Sequence, residues 1–181
     1  MSTDRVFADF YEGAESFQMS RIPDGGMCLS AFLVLWKKSR SNVLLGKVNP
    51  DYDWIKIGAL SKESTTRISS RWMLPASHLL LYESPQSAAE RILVEQLDMK
   101  EAVELQGPIV FSEVYDAPKL EIKNHWDTEF VFTGEITGDA PKNHLAWSEL
   151  RFVDVGAVKD SEISRSHQDI LTEVGIRTRS S

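Results

Sequence analysis

Between Leu74 and Met99 the chain reads LPASHLLLYESPQSAAERILVEQLDM, and the side chains in it whose types and spacing could do chemistry are Glu83, Arg91 and Glu95. Arg91 and Glu95 stand four apart, so on a helix they share a face and can pair. Carboxylates are the ligands that a hard divalent ion such as Mg²⁺ accepts, with waters and phosphate oxygens completing its shell. Each residue also has an ordinary use. Arg91 and Glu95 would make a surface ion pair worth about 0.3 kcal/mol, and Glu83 would favour the N-terminus of a following helix.

Other candidates are weaker. Glu113, Asp116, Glu121, Asp127 and Glu129 form an acidic stretch, whose ordinary reading is a solvated face. His78, His125, His144 and His167 show no HxxxH or HExxH spacing, and a lone Cys28 leaves no Cys/His pattern for zinc. His125 and Trp126 could set a ring beside a nucleobase, although Trp is more often packed for its area. No GxSxG, P-loop or GxGxxG sequence is present, which sets aside serine hydrolases, P-loop NTPases and dinucleotide folds.

The elements that must position these residues are legible from periodicity and punctuation. Ser84 followed by Pro85 is a helix start, because a Ser side chain caps free N–H groups and Pro is tolerated at the first helical position. Met27 to Trp36 is too apolar for a half-exposed strand and predicts a central one, joined through the polar turn KKSRSN to a second strand, Val43 to Val48. Tyr52 to Ile57 reads as a further strand and Ser61 to Ser70 as a loop. Ile109 to Tyr115, Glu129 to Ile136 and Leu150 to Val155 are β-rich, and Ile163, Ile170, Leu171 and Val174 suggest a closing helix stopped by Gly175. Phe7, Phe10, Tyr11, Ala14 and Phe17 recur at helical spacing, which predicts an amphipathic helix from about Thr3 to Met19.

The segment from Leu74 to Met99 resembles the signature of the Nudix superfamily, hydrolases of nucleoside diphosphates linked to another group. That motif runs Gly, five residues, Glu, seven residues, then Arg-Glu-apolar-any-Glu-Glu-any-Gly-apolar. Glu83 falls on the first Glu slot, Arg91 on the Arg slot, Glu95 on the first of the paired Glu, and Leu93 and Met99 on the apolar slots. Ser77, Ile92, Gln96 and Asp98 stand where the motif has Gly, Glu, Glu and Gly. Flanking likenesses at Leu44 to Gly46, Trp72 to Pro75 and Glu149 to Val155 extend the resemblance over most of residues 27 to 156.

The resemblance implies an α+β chain, a Nudix-like α/β/α sandwich with a mixed β-sheet. It implies metal ligation by Glu83 and Glu95 and catalysis by Glu95 and Arg91, Arg91 orienting one of the two glutamates, with a carboxylate from elsewhere, such as the acidic stretch, replacing the one missing at position 92. Family members carry carboxylates at positions 92, 95 and 96, on one helix face. Here Ile92 offers no ligand and Gln96 only a neutral amide, so Mg²⁺ binding is expected to be weak. Ala76 and Ser77 replace glycines that let backbone approach the ligand. The alternative is a non-catalytic module on the same fold, one that senses a nucleotide or presents the apolar run Leu79 to Tyr82 to a protein partner.

Composition bounds the rest. At 181 residues the chain is read as a single Nudix-like domain, 1–181, with an N-terminal helical extension over about 1–25. Acidic residues outnumber basic ones, 27 to 20, and the net charge of −7 offers no general attraction for nucleic acid. Cys28 lies in the apolar run MCLSAFLVLW and reads as a buried thiol. No membrane span or signal peptide is legible, so a cytoplasmic location is the default. The partners expected are a nucleotide-like small molecule and a second copy of the chain, with neither nucleic acid nor membrane.

Overall fold

The apolar run that opens at Met27 becomes the organising strand of the molecule. The computed structural model describes residues 9–10, 27–99, 103–115, 125–137, 141, 145–164 and 167–177. In chain order the strands are β1 (Asp9–Phe10), β2 (Met27–Lys37), β3 (Ser39–Val48), β4 (Ala76–His78), β5 (Gln106–Tyr115), β6 (His125–Glu135) and β7 (Trp147–Asp154). The helices are α1 (Trp54–Gly58), α2 (Lys62–Ile68), α3 (Pro85–Leu97) and α4 (His167–Glu173).

These strands form one mixed sheet of order β5-β6-β2-β3-β7, in which β1 and β4 pair with parts of β2. β2 runs parallel to β6 from Met27↔Trp126 to Trp36↔Glu135, and antiparallel to β4 through Ser30↔His78 and Phe32↔Ala76. A strand covered on both faces needs apolar side chains on both, which is why Ala31 to Leu35 reads without alternation. Ala31, Leu33 and Leu35 pack against Ala88, Ala89, Ile92 and Leu93 of α3, while Phe32 and Val34 join the cluster that holds Ile170 and Leu171 of α4. The result is the expected α/β/α sandwich with a mixed sheet. Among the described residues no helix is long and apolar enough to cross a membrane.

A third cluster lies at one end, where Trp54 and Ile57 of α1 meet Val48, Met73, Ala146 and Trp147. Trp54 and Trp147 meet edge to face at 4.9 Å, and a Cβ built on Gly46 would stand 2.2 Å from Trp147 Cε3. Gly46 is thus the bare backbone on which this indole lies, which explains the glycine in LLG.

Three local expectations are corrected. Tyr52 to Ile57 is no strand: α1 starts at Trp54, because Trp54 and Ile57, three apart, turn to the same buried cluster. Ser61 to Ser70 is largely the helix α2, nucleated by Ser61, whose hydroxyl accepts a hydrogen bond from the Ser64 N–H. Asp9 and Phe10 pair with Cys28 and Met27 as β1 rather than forming part of a helix, since the edge of β2 offers backbone partners there. The rest of the helix expected from Thr3 to Met19 lies outside the described residues.

Candidate functional site

α3 begins as its sequence demands. Ser84 caps it by accepting from the Ser87 N–H at 3.0 Å, and Pro85 occupies the first turn. It ends at Asp98, whose φ of 50° is left-handed and stands where the motif has Gly. Asp is among the few side chains that tolerate that conformation.

Arg91 projects from α3 toward the turn that precedes it. Its Nε donates to Glu83 Oε1 and its Nη2 to Glu83 Oε2, both at 2.8 Å, while Nη1 reaches Ser77 Oγ at 3.1 Å and Nη2 the His78 carbonyl at 2.9 Å. Glu83 Oε2 also accepts from the Leu80 N–H at 2.8 Å. With side-chain exposures of 10% and 11%, Arg91 and Glu83 form a largely buried two-pronged pair that clamps β4 and the turn 80–83 onto the helix. Glu95 stands beside this pair, 3.9 Å from Arg91 Nη1 and 24% exposed. The structure therefore gathers Glu83, Arg91 and Glu95, the residues singled out from sequence, with Glu83 engaged by hydrogen-bond donors on both oxygens.

The turn held by this clamp divides its apolar run. Leu79 is buried in the α3 cluster, whereas Leu81 is 49% exposed and Tyr82 98% exposed with φ of 66°.

The other face of α3 is closed. Ile92 is fully buried in the sheet-facing cluster. Gln96 is also fully buried, and its Nε2 donates to the carbonyls of Ile57 at 3.0 Å and Ala76 at 2.7 Å. Trp147 Nε1 donates to the Gln96 carbonyl at 2.8 Å, and Trp54 Nε1 to that of Ala146 at 3.0 Å. α1 and the paired indoles thus sit against the helix where the motif has ligands. Gln96 Oε1 is buried without a partner among the described residues.

Whether Mg²⁺ fits can be judged from these donors. Of positions 92, 95 and 96, one offers a carboxylate, one an amide oxygen and one a hydrocarbon, and the amide is tied to two main-chain carbonyls. With one glutamate at these positions, Mg²⁺ would depend on waters and phosphate oxygens for the rest of its shell. Among the described residues no group of three or more His, Cys, Asp or Glu side chains is placed to hold a metal. Among the described residues, positions 92, 95 and 96 do not supply the carboxylate set of the motif's metal centre.

Sequence reasoning missed two features. Asp127 and Glu129, read as part of a solvated face, are 7% and 3% exposed on β6, with Ser30 Oγ donating to Asp127 Oδ1 at 3.0 Å. Their place on a strand flanked by two neighbours is the reason, and only the pairing of β6 with β2 and β5 reveals it. The second is His167, buried in the α4 cluster, where its Nδ1 accepts the Leu74 N–H at 3.0 Å. Burial pushes its pKa from 6.5 down to about 3, so it is neutral. Cys28 is a buried thiol outside any disulfide, as expected.

No protein-family model matches the sequence, and no curated protein matches it. Solved structures do match in fold. A dihydroneopterin triphosphate pyrophosphohydrolase from E. coli aligns with a TM-score of 0.57 at 14% identity, over 80% of this chain and 92% of its own. The NUDIX domain of Shewanella oneidensis NrtR, complexed with ADP ribose, aligns with a TM-score of 0.56 at 13% identity, over 82% of this chain and 86% of its own. A MutT protein from Methanosarcina mazei gives 0.54 at 14% identity, over 82% and 92%. At such identities the likeness is one of fold, and the fold of this chain is that of the Nudix hydrolases.

Proposed function

We propose that this chain is a Nudix-fold binding module that does not run metal-dependent diphosphate hydrolysis through its α3 segment. One observation carries the reading: Gln96 and Ile92, at two of the motif's carboxylate positions, are fully buried, and the Gln96 amide holds α1 and β4. A solvent-facing carboxylate brings metal affinity; a buried amide that donates to two carbonyls brings stability instead. The ADP ribose complex of the NrtR NUDIX domain supports the idea that the fold binds a nucleotide-type ligand, and such a ligand is the class we assign to this chain.

The test is a direct Mg²⁺ and Mn²⁺ titration of the whole chain, followed by nucleotide sugars, dinucleotides and nucleoside triphosphates scored for turnover and for thermal stabilisation. The expected outcome is no tight metal binding and no Mg²⁺-dependent product, with stabilisation by a nucleotide in the presence of a chelator. Turnover that requires Mg²⁺ and is lost in Glu95→Gln would overturn the proposal and favour a residual hydrolase. That second reading has its own observation, since the Glu95 side chain is 24% exposed beside Arg91.

A further inference from the structure

We draw no further inference here: the strongest candidate, the turn at Leu81 and Tyr82 that the Glu83 and Arg91 pair holds out at the start of α3, is an exposed apolar surface patch, and nothing in the structure shows what covers it.

Discussion

Arg91 and Glu83 meet through two N–H···O bonds of 2.8 Å each, with both side chains about nine-tenths buried. Removing one member of such a pair strands a charge away from water, whereas a matched apolar replacement of both does not. Glu83→Ala is therefore expected to destabilise the fold by about 3 kcal/mol, and Arg91→Met with Glu83→Leu by clearly less than the single change. Urea unfolding of the two variants beside the wild type checks the order.

Gln96 supplies a different prediction. A glutamate at this position, the residue the motif calls for, would aim a carboxylate at the carbonyls of Ile57 and Ala76, acceptor against acceptor. Gln96→Glu is expected to cost about 2 kcal/mol at neutral pH, from two lost hydrogen bonds and a buried charge, and to leave Mg²⁺ affinity unimproved. The cost should shrink in mild acid, since a protonated carboxyl can donate to one of the carbonyls. Chemical unfolding at two pH values, with a Mg²⁺ titration, tests both halves.

His167 makes stability pH-dependent. Its pKa falls from 6.5 in the unfolded chain to about 3 in the fold, so between those values the unfolded state binds a proton that the folded state refuses. Stability from this group is complete above pH 6.5 and is lost as pH falls through the window, with a limiting slope of about 1.4 kcal/mol per pH unit. In His167→Gln the amide oxygen can still accept the Leu74 N–H, and that component of the slope should vanish. Unfolding free energies from pH 7 down to pH 4 for the two proteins decide it.

Tyr82 is 98% exposed and holds φ at 66°, a conformation that bulky side chains rarely adopt. Asn tolerates it better. Tyr82→Asn is expected to raise stability by about 0.5–1 kcal/mol, because little packing is lost and local strain is relieved. A melting temperature below the wild type would show that the ring contributes to the fold.

Gly46 should tolerate nothing larger. The Trp147 ring lies where a Cβ would be, so Gly46→Ala must displace an indole that also binds the Gln96 carbonyl. The expected loss is about 3 kcal/mol, with altered tryptophan fluorescence as the indole moves.

Much of the architecture is local in origin and was legible in the residues themselves. The unbroken apolar run of β2, the Ser84–Pro85 start of α3 and the glycine that stops α4 act through periodicity, capping and allowed φ, which depend on near neighbours in the chain. α1 and α2 were missed for the complementary reason: α1 is a short helix whose buried residues meet partners far along the chain, and α2 is a polar one set by a cap. The candidate site divides the same way. Its members Glu83, Arg91 and Glu95 follow from spacing, and so does the absence of carboxylates at 92 and 96. What those substitutions mean was decided by contacts 39 and 20 residues away, from Gln96 to Ile57 and to Ala76, because hydrogen bonding across such separations exists only once the sheet and helices have packed. The sequence by itself determined the fold and the missing ligands, and the tertiary structure alone decided that the vacated positions had become a clasp.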